Sequence, residues 1–133
     1  MIIISASKER NVNVGASSFL RCFYSTICSY VESSDVSHAI KLLKYNQLAS
    51  DECLKAAKEF NIIRDILSQK APESVVWDID EPNATPPWGN NISPVITSLG
   101  NYFITADGKD LIYEIIALLQ YASEIGQDVV VSD

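Results

Sequence analysis

The sequence predicts a single α+β domain, a mainly antiparallel sheet of about four or five short strands packed with three or four helices, on three observations. Short β-branched runs stand near both ends of the chain, at Ile2-Ile3-Ile4 and at Val129-Val130-Val131. Between them lie long stretches in which apolar residues recur at helical spacing. The chain has 133 residues, 47% of them hydrophobic, enough for one core without disulfides or metals.

Met1 to Ala6 is apolar and β-branched and reads as the first strand; Val12 and Val14 mark a second after the polar turn Lys8 to Asn11. From Ser17, the positions Phe19, Phe23, Thr26 and Tyr30 step by four, three and four, the period of an amphipathic helix ending near Glu32-Ser33-Ser34. Val36, Ile40, Leu43 and Gln47 repeat that spacing less regularly and predict a second helix over about 36–48. Ser50 followed by Asp51 and Glu52 is a helix start, because the hydroxyl can accept an orphan N–H and the acids favour the positive dipole end. Cys53, Ala57, Phe60, Ile63 and Leu67 form the buried stripe of that helix, and Ala71-Pro72 closes it.

Val75-Val76-Trp77 alternating into Asp78-Ile79-Asp80 predicts a strand with Trp77 and Ile79 on one face and two carboxylates on the other. Glu81 to Pro94 is the one long irregular segment, stiffened by Pro82, Pro86, Pro87 and Pro94. Val95 to Leu99 reads as one helical turn and Tyr102 to Thr105 as a further strand. Asp107-Gly108 then turns the chain into a last helix, about 109–125, with Asp107 or Thr105 as its cap. That helix carries Leu111, Ile115, Leu118, Ala122 and Ile125 on one face and Ile112, Ile116 and Leu119 beside them, so it is either central to the core or partly an interface. Gly126 fits a C-cap, and Asp128 to Val131 supplies a closing strand.

Charge narrows the class of partner. Residues 1–70 carry nine Lys/Arg and seven Asp/Glu, net +2; residues 71–133 carry Lys109 alone against ten acids, net −9. A polyanion such as nucleic acid is repelled by the second half, whereas a basic protein is steered toward it. The apolar N-terminal run is too short for a signal peptide and no stretch has the length of a membrane span, so a cytoplasmic protein is expected. Three cysteines, Cys22, Cys28 and Cys53, fit neither a disulfide framework nor a paired zinc motif and read as free thiols.

Catalysis near neutral pH needs a group that donates, accepts or attacks, and histidine is the first place to look. His38 is the only one, with no nucleophile motif around it. The five glycines are dispersed and form no phosphate-cradling loop. The strongest enzymatic candidate is Asp78-Ile79-Asp80-Glu81, since two carboxylates on one strand face can hold a divalent metal, as can a pair with Asp107 and Asp110. Short acidic triplets arise often by chance, and only Lys109 in that half could hold a phosphate. The expectation is therefore a non-enzymatic domain with no cofactor and no metal. Trp88, between Pro87 and Gly89, is either an exposed anchor for a partner's pocket or a core tryptophan closing the loop on the domain.

Four blocks resemble a known family: Gly15-Ala-Ser-Ser-Phe19-Leu-Arg-Cys-Phe23-Tyr-Ser25-Thr26-Ile27; Val75-Val-Trp77-Asp78-Ile79-Asp80; Pro86-Pro87-Trp88-Gly89-Asn90-Asn91-Ile92-Ser93; and Ile96 to Thr105 running through Asp107-Gly108-Lys109-Asp110-Leu111. They look like the immunity 70 family, whose members are encoded beside polymorphic or contact-dependent toxins in bacteria. The resemblance implies a protein that binds and blocks a cognate toxin domain, and it assigns no catalytic residues. Asn90 stands where an acid is expected. Joined to the charge pattern, it implies an interface of roughly 800 Å² per partner with the C-terminal domain of a toxin, one chain to each. Asp78, Asp80, Glu81, Asp107 and Asp110 would steer a basic cleft such as that of a nuclease, with Trp88 as anchor and Asn90 in the contact. Two rivals are a metal-dependent enzyme using Asp78 and Asp80, and a self-associating domain using the last helix.

Overall fold

A computed structural model describes all 133 residues, Met1 to Asp133. The two ends of the chain form the middle of a four-stranded antiparallel sheet. Strand β1 (Ile2–Ser5) pairs with β2 (Asn11–Gly15) on one side and with β4 (Val129–Ser132) on the other, and β4 pairs in turn with the two-residue β3 (Gln47–Leu48), giving the order β2-β1-β4-β3. Ile4 lies opposite Val12 and Val131, and Leu48 opposite Val129. The alternation of the strands explains this register: Ile2, Ile4, Val12, Val14, Leu48, Val129 and Val131 are all buried, while Val130 stays 41% exposed. A slip of one residue would send the buried set to the solvent face.

Four helices cover the buried face: α1 (Ser17–Tyr30), α2 (Ser37–Tyr45), α3 (Cys53–Leu67) and α4 (Leu111–Ile125). The broad apolar surface of α4 is core, because Leu111, Ile112, Ile115, Ile116, Leu118, Leu119 and Ala122 are buried, with α3 as its main neighbour. Ile125, read with that face, is instead 41% exposed at the end of the helix. Phe23 of α1, Phe60 of α3 and Phe103 meet in the centre, Phe23 edge-on to Phe103 with ring centroids 4.9 Å apart. Gly126 ends α4 in the left-handed conformation, as expected. No helix is long and apolar enough to cross a membrane.

The elements depart from the sequence reading in five places. The second helix ends at Tyr45, because Asn46 turns left-handed (φ 63°) and the chain enters β3. Ser50 opens a 3-10 turn ahead of α3 without capping it; its backbone N–H donates to Asp128 Oδ1 instead. The cap of α4 is Asp110, whose carboxylate accepts the N–H of Tyr113, while Thr105 and Asp107 bond to each other in the turn before it. Val95 to Leu99 forms no helical turn, since the N–H of Leu99 donates across to the carbonyl of Lys70. Finally, neither 75–80 nor 102–105 is a strand.

The reason lies in where their backbone groups find partners. Segment 74–80 runs antiparallel along α1 and bonds to that helix's side chains. Tyr30 Oη donates to the carbonyl of Ser74, Thr26 Oγ1 both donates to the carbonyl and accepts from the N–H of Val76, and Ser25 Oγ accepts the N–H of Ile79. Residues 102–105 make one bridge, Ile104 opposite Asp110, and otherwise bond locally and to the edge of β2 through Ala106 N–H and Asn13 O. A β-branched, alternating sequence suits any extended half-buried segment, and helix hydroxyls here take the place of a neighbouring strand.

Candidate functional site

The seven residues singled out in the sequence all fall in the irregular chain between α3 and α4, which lies over α1 and the end of α3. Asp78 and Asp80 are joined by a cation from the first half of the chain: Arg21 of α1 donates to Asp78 Oδ1 at 3.4 Å and to Asp80 Oδ2. Asp78 Oδ1 also accepts the N–H of Asp80, which shapes the turn. The paired carboxylates therefore converge on a guanidinium. No group of three or more His, Cys, Asp or Glu side chains is placed to hold a metal ion. Ile79, expected on the face of Trp77, is instead exposed.

Trp88 occupies a position between the two alternatives, 37% exposed but anchored. Its Nε1–H donates to Tyr102 Oη at 2.7 Å, and its ring meets Trp77 edge-on at 5.5 Å between centroids. Burial pushes the Tyr102 hydroxyl above its ordinary pKa, although the hydrogen bond from Trp88 acts in the opposite direction. Trp88 thus forms one wall of an apolar cleft of about 200 Å³ with Phe19, Ile92, Ile96, Tyr102 and Ile104. Asn90 faces the other side of the same loop, in a notch with Glu73, Thr85 and Pro86.

Ile104, in the wall of this cleft, bridges through its backbone to Asp110, but neither Asp107 nor Asp110 lines the cleft. A hydrogen bond from the Thr105 hydroxyl, helped by Lys109, holds the Asp107 carboxyl below its usual range. Asp110 serves α4 as its cap. The structure thus holds Asp78 and Asp80 on Arg21 with Glu81 next in the chain, and Asp107 and Asp110 in the turn that opens α4; of the seven residues only Trp88 lines the aromatic cleft, and Asn90 lies apart.

Sequence reasoning missed two clusters. Arg21 lies inside one of the quoted blocks, but only the path of 74–80 along α1 shows which acids it meets. His38 is held between two carboxylates: Nδ1 lies 2.6 Å from Glu59 Oε2 and Nε2 3.6 Å from Glu52 Oε2, while Glu59 Oε1 accepts the N–H groups of His38 and Ala39. Glu59 on α3 in effect caps α2. The cysteines behave as small apolar residues. Burial raises the Cys22 thiol to about 12 and the Cys53 thiol to about 11, and only Cys28 is partly accessible.

Residues 5–131 match Immunity protein 70. The chain belongs to the Immunity protein 70 family. No curated protein and no solved structure matches it. The family match runs from the last residue of β1 into β4 and so takes in β2, β3, the four helices and the acidic segment, well beyond the blocks that carried the resemblance. Members of an immunity family act on a toxin, which makes a protein the expected partner of this Immunity protein 70 chain.

Proposed function

We propose that this chain neutralises a toxin domain by occluding it with the surface built from residues 77–110, one immunity chain to one toxin domain in the cytoplasm. The observation that carries the proposal is the family membership over residues 5–131, joined to a half-exposed apolar cleft walled by Trp88, Phe19 and Tyr102. Trp88 is pre-positioned by Tyr102 and Trp77, so little side-chain freedom is lost on contact. Its exposed edge and Ile92, Ile96 and Ile104 form the apolar centre of the contact.

Carboxylates form the rim. Asp78 and Asp80 share Arg21, and with Glu81 beside them the local charge is −2; Lys109 pairs with Asp107 and Glu114, and Asp110 has no cationic partner. Glu81 and Oδ1 of Asp80 are free to steer a basic surface; Asp78 acts mainly by holding Arg21 and the turn, and Asn90 extends the contact around the loop. A basic substrate cleft, as in a nuclease toxin of a polymorphic or contact-dependent system, has the complementary charge. The role needs no bond to be made or broken on this chain, and the pairing of Asp78 and Asp80 with Arg21 favours recognition over metal chemistry.

The test is protection. The C-terminal domain of a toxin encoded beside this gene is expected to stop growth alone and to permit it when this chain is co-produced, and light scattering of the purified pair should give a 1:1 mass. Growth arrest despite abundant soluble chain, or turnover of a substrate by the chain alone, contradicts the proposal.

A further inference from the structure

Arg64 Nη2 is the single buried side-chain nitrogen or oxygen in the chain without a hydrogen-bond partner. Such groups are rare in folded proteins, and a charged one is the most costly kind. Arg64 also takes part in none of the ion pairs. It leaves the last turn of α3 and lines an open polar cavity of about 610 Å³ with Thr97, Ser98, Asn101, Asp110 and Tyr113.

The walls of this cavity are fixed. Asn101 Oδ1 accepts the N–H groups of Thr97 and Ser98, and its Nδ2 donates to the carbonyl of Val95, so the loop 95–101 is braced from within. Gly100 lets that loop lie against α3; a Cβ there would strike Ser68 Oγ and stand 3.2 Å from Ser68 Cα. Asp110 is the one carboxylate in the wall, and it is already compensated by the Tyr113 N–H and by the N-terminus of α4. The guanidinium has no such compensation. Its Nη2 is closed to solvent, while the side chain as a whole lines the cavity with Thr97, Ser98 and Tyr113, a positively charged, hydroxyl-bearing lining that suits a carboxylate.

We propose that this cavity receives an Asp or Glu side chain of the toxin, with Arg64 as its charge partner, an inference that rests on the immunity reading. A single cation opposite Asp110 suits a monoanionic carboxylate better than a phosphate dianion. The cavity shares Asp110 with the acidic surface, so one approach of the toxin engages both. The arrangement adds specificity, because a toxin that places no acid at this point leaves the guanidinium unpaired in a closed interface.

Two measurements test it. Sodium acetate titrated into the isolated chain should shift the amide resonances of Ser98, Gly100 and Tyr113 saturably, and Arg64→Met should abolish the shift while melting no lower than wild type. Arg64→Lys should keep a weaker response. Absence of a saturable shift, an unchanged shift in Arg64→Met, a lower melting temperature for that variant, or inorganic phosphate binding about tenfold tighter than acetate would each overturn the assignment. With the toxin domain, Arg64→Met is expected to weaken binding by at least about tenfold, and equal affinity overturns the proposal. A chain that binds acetate here yet binds no toxin refutes the immunity reading instead.

Discussion

Glu59 shows how one side chain can set the junction between two helices. Its carboxylate takes two N–H groups at the start of α2, at 2.7 and 2.9 Å, and holds the His38 ring at 2.6 Å. Nothing in α2 itself caps that end. Glu59→Ala should lower the free energy of unfolding by about 2–3 kcal/mol, measured in urea, because two backbone donors and an imidazole lose their acceptor. Glu59→Gln keeps an acceptor and should lose less. At Asp107 the sign of the pH effect follows from the lowered carboxyl. Its contribution is present above the ordinary carboxylate range and fades as pH falls through the lowered value, so the difference in melting temperature between wild type and Asp107→Asn should shrink on acidification. Thiol exposure gives a third check: Cys28 should react with a thiol reagent in the native protein, and Cys22 and Cys53 only after unfolding.

At the scale of elements, the strap of 74–80 on α1 is the feature that forms the site. Thr26→Val keeps the shape but leaves both backbone groups of Val76 without partners, and should cost about 1–3 kcal/mol and loosen Asp78 and Asp80 as well. Arg21→Ala should cost under about 1 kcal/mol, since the pair is largely exposed, but it unmasks two carboxylates. Association with a basic toxin should then quicken at low salt, which stopped-flow fluorescence of Trp88 can follow. The helices were legible in the sequence because a period near 3.6 is a local signal, and so were β1, β2 and β4. The 75–80 segment was not, since alternation shows an extended half-buried chain without saying whether a strand or a row of helix hydroxyls pairs with it. β3 was missed for a related reason: two residues carry no period, and Leu48 joins the sheet only because Val129 lies opposite.

Across the whole molecule, the division into a slightly basic first half and an acidic second half is real in the sequence but mixed in space. Arg21 crosses to Asp78 and Asp80, and Asp128 caps the turn before α3. The aromatic cleft was partly legible, because Trp88 on a proline-stiffened loop announced itself, whereas Tyr102 and Phe19 became its neighbours only through the long-range packing of α1 against residues 102–104. Membership of the Immunity protein 70 family fixes the expected partner as a toxin, and the charge left over after internal pairing suggests which of its surfaces is met. The most direct measurement is the association rate of chain and toxin domain against ionic strength, for wild type and for a variant carrying Asp80→Lys and Glu81→Lys. Wild type should associate about tenfold or more faster at low salt than at high salt, and the charge reversal should erase that dependence. A rate indifferent to salt, or one untouched by the reversal, would contradict docking through the acidic rim.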